Sequence, residues 1–151
     1  ISDHMVSLQM TDVNHIDLKE KYAFLNTGSP HHVQLVADVN ELDIVNEGAK
    51  LRYGLYGKTG SNINFVTQNS EDNFSVRTYE RGVEDETLSC GTGVTAVALA
   101  MYHSKKTSFK KVSIKTKGGT LTVSFEIKDD GYHNIMLQGP AAFVFKGNFE
   151  R

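Results

Sequence analysis

Hydrophobic positions recur at every second residue through most of this chain and at helical spacing in only two places. Met5-Val-Ser-Leu-Gln-Met10 alternates, and residues 31–39 place Val33, Leu35, Ala37 and Val39 at period two, the spacing of one strand face. Residues 63–67 and 74–79 read as two further strands across the polar turn Asn69-Ser-Glu-Asp-Asn73. Residues 111–116 and 120–127, joined through Gly118-Gly119, carry a hairpin signal. Residues 132–138 and 141–146 complete the strands, with Gly139-Pro140 between them. A first helix is expected from Ile44 to about Tyr53, capped by Asp43. A second, from Thr92 to Tyr102, is apolar nearly all round and should be buried on most sides. His103, Lys105 and Lys106 follow it, where the negative end of the helix dipole favours cations. The pattern predicts an α+β fold, a mainly antiparallel sheet rolled around one buried central helix.

Composition narrows the classes. A length of 151 residues suits one domain, and with only 2 Pro there is no proline-rich linker, so residues 1–151 read as a single domain. Sixteen basic against eighteen acidic residues give a net charge of −2, without the basic excess that phosphate backbones demand, so no nucleic-acid partner is expected. The one cysteine, Cys90, can form neither an internal disulfide nor, alone, a thiolate metal cluster, and no metal is expected. The longest strongly apolar stretch, Val94 to Tyr102, is far short of the ~20 residues of a membrane span, and the start lacks a signal-like apolar run. A soluble protein of a reducing compartment, the cytoplasm, is expected, with no membrane partner. The chain begins at Ile1, without an initiator Met, which suggests a piece of something longer.

The chemistry concentrates in Tyr79-Glu-Arg-Gly-Val-Glu-Asp-Glu-Thr-Leu-Ser-Cys-Gly-Thr-Gly-Val94, where the cysteine stands immediately before the buried helix. Unpaired amides and the positive dipole end there favour a thiolate, so the Cys90 pKa is expected to fall toward neutrality. A thiol so poised can take and give a proton. Gly91 and Gly93 would let a ligand approach the amides of the first turn, a ready anion site. The same residues also suit a small buried cysteine in a plain strand-to-helix turn, with Glu80-Arg81 a solvated ion pair.

Four stretches together resemble the diaminopimelate epimerases: Asn26-Thr-Gly-Ser-Pro-His-His-Val33, Asn62-Ile-Asn-Phe-Val66, Glu80-Arg-Gly with Glu86-Thr87 and Cys90-Gly-Thr-Gly93, and, more weakly, residues 138–147. They span about Asn26 to Gly147 in the family's order, and they match only its second half. The resemblance implies one of two similar halves flanking an active-site cleft, each supplying one catalytic cysteine. The absent amino-terminal half is then a partner, and a homodimer is expected. It implies interconversion of LL- and meso-2,6-diaminopimelate without pyridoxal phosphate or any other cofactor, one thiolate removing the α-proton while the opposite thiol delivers another. Cys90 matches one of that pair. Gly91 and Thr92 match the cradle of the α-carboxylate, and Glu80 and Arg81 match residues contacting the substrate. Asn62 matches an asparagine at the substrate's distal end. His31 matches a histidine that helps set the cysteines' protonation, and His32 is left structural. Ser29 stands where the family has a substrate-binding asparagine, and the loop Gly82–Glu86 is one residue longer than the common pattern.

Two other readings compete. The same fold serves proline racemases and phenazine-pathway isomerases; Cys90 argues against the latter, and Glu80-Arg81 with Asn62 favours an amino acid with a second polar end. A non-catalytic ligand-binding or assembly module would leave Cys90 inert. A cysteine hydrolase lacks an evident base and orienting group beside the thiol.

Overall fold

The computed structural model describes residues 5–129 and 131–149. In chain order the elements are β1 (Met5–Gln9), β2 (Ile16–Leu18), β3 (Ala23–Asn26), β4 (Pro30–Leu35), a 3-10 turn (Val39–Glu41), α1 (Ile44–Gly54), β5 (Asn62–Gln68), β6 (Asn73–Glu80), β7 (Asp85–Thr87), α2 (Gly91–His103), β8 (Lys111–Thr116), β9 (Gly119–Lys128) and β10 (Gly131–Pro140). The strands form one sheet in the order β1-β10-β9-β8-β6-β5-β4-β3-β2, with β7 set beside β6. Neighbours are antiparallel except β4 with β5 and β6 with β8.

The sheet curls because of what α2 presents. Gly93, Ala96, Ala98 and Ala100 are small enough for strands to pass close, and the helix touches β3, β4, β5, β6, β8, β9 and β10. Every residue from Gly93 to Met101 is buried. Val66, Phe74, Val76, Val112, Ile114, Val123 and Ile135 close around it as the main core. Burying such side chains contributes about 1.5–3 kcal/mol each, which offsets the ordering of a strand-rich chain.

A second core lies on the other face of β5 and β6, where α1 packs Ile44 against Ile63, Phe65 and Tyr79. Gly48 of α1 lies so close to the Tyr79 ring that any Cβ there would collide with it. Asp43 caps α1 as expected, its Oδ1 accepting from the Asn46 amide at 3.2 Å. With helices on both faces, β5 is buried from Asn62 to Val66. Val66 and, by alternation, Asn64 and Asn62 face α2; Ile63 and Phe65 face α1.

The α+β architecture around one buried helix is borne out, with four local corrections. Residues 141–146 form no strand. Phe143, Val144 and Phe145 are at least 80% exposed: Gln138 lies opposite Thr122 and β9 begins at Gly119, so the chain beyond β10 runs past its β9 partner. β10 instead continues through Gly139-Pro140. The strand expected over 31–39 starts at Pro30 and stops at Leu35, where the chain turns into the 3-10 segment. The short strands β2, β3 and β7, of three or four residues, carry too little alternation to be read from sequence.

Candidate active site

β4 and β5 run parallel, with His31 opposite Asn62, and β6 runs back against β5, so the starts of β4 and β5 and the end of β6 share one edge of the sheet. The outer edge of β6 is divided there: Asn73–Ser75 pair with β8, whereas Thr78–Glu80 pair with β7. From β7 the chain crosses to Cys90, the crossing held by the Gly118 amide donating to the Leu88 carbonyl at 2.8 Å. Ser29, His31, Asn62, Glu80, Arg81 and Cys90, far apart in sequence, thus meet where α2 begins.

Cys90 is the N-cap of α2 in extended backbone, half-buried, with its Sγ 3.4 Å from Thr92 Oγ1. Burial pushes the thiol up, and the Glu80 carboxylate pushes the same way; the Thr92 hydroxyl and the amides of Gly93 and Thr92 pull down without prevailing. This corrects the sequence expectation of a depressed thiol pKa. The helix start acts in the expected direction, but it is outweighed by desolvation that no sequence pattern displays. The resting group is a thiol, with a hydroxyl and helix-start amides beside it to receive the charge when it ionises.

Thr92 Oγ1 also lies 2.9 Å from His31 Nε2. The His31 ring is fully buried, and burial, reinforced by the Arg81 charge, lowers its pKa to about 3. His31 is therefore a neutral hydrogen-bonding group at physiological pH and does not titrate there. Its Nδ1 lies 3.1 Å from Asn64 Nδ2, which also donates to the His32 carbonyl at 2.8 Å, and Thr78 Oγ1 donates to Asn64 Oδ1 at 3.0 Å. The Thr92 carbonyl accepts from Thr27 Oγ1 at 2.8 Å, tying the turn before β4 to the first turn of α2. Gly93 is required by this packing, since a Cβ would stand 2.6 Å from Asn64 Oδ1. That glycine serves the sheet contact, rather than the ligand approach expected from sequence. Gly91 stays half-exposed at the surface.

Asn62 organises a second network. Its Nδ2 donates to Ser29 Oγ at 2.8 Å and to the Pro30 carbonyl at 3.0 Å, and its Oδ1 accepts from the Arg81 amide at 2.9 Å. Both ends of the Asn62 amide are thus engaged within the chain, and Ser29 is held by Asn62. The Arg81 guanidinium donates to the Thr59 carbonyl at 2.9 Å. Glu80 Oε2 accepts from Thr87 Oγ1 at 2.9 Å, which fixes its carboxylate from β7. His32 turns to the opposite side, buried and stacked on Tyr22 at 4.3 Å, in agreement with a structural role.

The loop between Glu80 and Thr87 is clamped from both sides. Arg52 of α1 donates from Nε and Nη2 to Glu84 Oε1 at 3.2 and 3.1 Å, and Glu84 takes a positive φ of 58°. Arg77 grips Glu86 with two parallel bonds of 2.6 and 2.7 Å, joined by Lys117 at 3.0 Å. Arg77 and Lys117 hold the Glu86 carboxyl below its usual range. The resemblance placed Thr92 in the α-carboxylate cradle; the contact of its hydroxyl with His31, and the Asn64 side chain between the His31 ring and the His32 carbonyl, come from the fold. Both become visible when β5 is laid beside β4.

What this edge can do is acid–base chemistry at one face of a small acid: a protonated thiol, a carboxylate beside it, and amides plus a hydroxyl at a helix start. Comparison with known proteins identifies the family. Residues 23–144 match the family described as diaminopimelate epimerase. The chain is 55% identical to the diaminopimelate epimerase of Flavobacterium psychrophilum over 94% of this chain and 56% of that protein. It is 43% identical to that of Chlorobaculum tepidum over 82% and 48%. Among solved structures it resembles a probable proline racemase from Agrobacterium radiobacter K84, with a TM-score of 0.67 and 14% identity over 91% of this chain and 51% of that one. A hydroxyproline epimerase from Agrobacterium vitis also has a TM-score of 0.67, with 12% identity over 91% and 50%. At those identities the two structures show a shared fold alone. The chain spans about half the length of the curated relatives it matches. With its motif order, its rolled sheet and its thiol at the start of α2, this chain belongs to the diaminopimelate epimerase family.

Proposed function

We propose that this chain is the carboxy-terminal half of a cofactor-independent diaminopimelate epimerase, a single domain supplying one of two thiols that interconvert LL- and meso-2,6-diaminopimelate. The observation that carries the reading is the Cys90 thiol at the start of α2, flanked by Thr92 and Glu80 at an edge of the sheet. A raised thiol pKa suits the proton donor of such a pair. The thiolate of the opposite half takes the α-proton from one face, and Cys90 delivers its own to the other. Cys90 ends as thiolate and the opposite group as thiol; the reverse reaction starts from that state, and proton exchange with water resets both sulfurs for another forward turnover.

With no pyridoxal phosphate to spread the carbanion charge, fixed dipoles around the α-carboxylate must hold it. The amides of Gly91 and Thr92 fill that role, and Glu80 takes the substrate ammonium. Arg81 contacts a carboxylate, while Asn62 and Ser29 shape the distal end. His31 acts on Cys90 through Thr92. The amino-terminal half completes the site from outside residues 1–151, a homodimer of the two-half enzyme is expected, and the location is cytoplasmic, serving lysine and cell-wall precursor synthesis. No helix among the described residues is long and apolar enough to cross a membrane.

The test follows α-hydrogen exchange and epimer formation from LL-diaminopimelate in deuterated buffer. In an enzyme carrying both halves, Cys90→Ala should abolish epimerisation, and the 151-residue chain alone should give none. Full activity in the variant, or turnover by the lone chain, overturns the proposal.

A further inference from the structure

We propose that Asn64 is a positioning residue: it fixes the tautomer of His31 and so turns the Thr92 hydroxyl proton toward the Cys90 sulfur. The argument is a count of donors. The His32 carbonyl, 2.8 Å from the Asn64 side chain, can only accept, so the atom facing it is the nitrogen. Turning the amide over would set its oxygen against that carbonyl. One amide hydrogen goes to His32 and the other points at His31 Nδ1, 3.1 Å away. Nδ1 is therefore the accepting nitrogen. A neutral ring, the form that burial enforces here, then carries its single proton on Nε2.

Nε2 donates to Thr92 Oγ1 across 2.9 Å, and the hydroxyl directs its own hydrogen to the sulfur 3.4 Å away. The chain of donors runs one way, from Asn64 through His31 and Thr92 to Cys90, and it strengthens as the sulfur becomes negative. Thr78, donating to Asn64 Oδ1 at 3.0 Å, locks the far end. Two charged groups face the chain. Glu80, at the end of β6, opposes ionisation of the thiol, and Arg81 opposes protonation of His31. The inference deepens the thiol reading above. Its observables are a ring tautomer and a thiol ionisation, so it stands or falls without any turnover.

The experiment uses the 151-residue chain itself. Nitrogen NMR of the imidazole should show His31 with the proton on Nε2 and a bare Nδ1. The Cys90 pKa, read from the pH profile of alkylation by iodoacetamide, should rise by about one unit in Thr92→Val, a roughly tenfold slower reaction at neutral pH. Thr92→Ser should restore the profile. Asn64→Asp offers Nδ1 an acceptor, so the ring proton should move to Nδ1 and the thiol pKa should again rise. A wild-type His31 protonated on Nδ1 overturns the proposal, as does an alkylation profile that Thr92→Val leaves unmoved; neither depends on whether the Asn64 variant folds.

Discussion

Two histidine rings packed where water cannot reach them make this fold sensitive to mild acid. His31 and His32 are both fully buried, and burial lowers their pKa values to about 3 and about 4 from an ordinary 6.5. In the unfolded chain both rings take up a proton as the pH falls through 6.5; in the folded chain neither does until far below. Folding stability is therefore whole above 6.5 and is lost as the pH falls from there toward the folded values. At about pH 5 each ring is some 1.5 units below its unfolded pKa, so each costs about 2 kcal/mol and the pair about 4 kcal/mol. That is a large share of the ~5–15 kcal/mol that holds a typical domain together. The depressed carboxylates Glu84, Glu86 and Glu126 act in the same sense, but only below their ordinary 4.5, so they do not contribute in this window. Urea unfolding followed by circular dichroism at about pH 7.5 and about pH 5 measures the difference, and His32→Gln should remove about half of it whatever that variant does to stability at the higher pH. Equal stability at the two pH values would refute the assignment of both rings as buried and neutral.

The clamp on the Glu80–Thr87 loop predicts a coupling. Arg52→Met strands the Glu84 charge and should cost about 2 kcal/mol, while adding Glu84→Gln should recover much of it; additive effects in a double-mutant cycle would deny the pairing. Gly93→Ala should destabilise by about 1–3 kcal/mol, because its methyl would meet the Asn64 oxygen at 2.6 Å, and an unchanged melting temperature would count against that packing. Asn62→Ala leaves the Arg81 amide and the Pro30 carbonyl without their partner and should cost about 1–3 kcal/mol in thermal unfolding, with no loss expected if water replaces it fully.

Much of the fold was legible along the chain because each element's periodicity is local. Asp43 announces α1, the apolar run through Leu99 announces α2, and alternation finds β5, β6, β8 and β9 within a residue or two. Residues 141–146 show the limit of that signal. Alternation says that a segment suits a strand, but a partner alongside decides whether it becomes one, and β9 begins at Gly119, level with the end of β10. The motif stretches likewise held Cys90, His31, Asn62, Glu80 and Asn64, but that Asn64 stands beside the His31 ring follows only from the pairing of two parallel strands.

By itself, the sequence determined where the thiol sits: one cysteine, at the start of a helix too apolar to be anything but central. Only the tertiary structure decided what that thiol is. Its pKa rises because neighbouring chain segments exclude water and bring Glu80 near, outweighing the amides of its own helix. Helix-start amides belong to consecutive residues and are written in order; desolvation and through-space charge depend on which distant strands close over the atom.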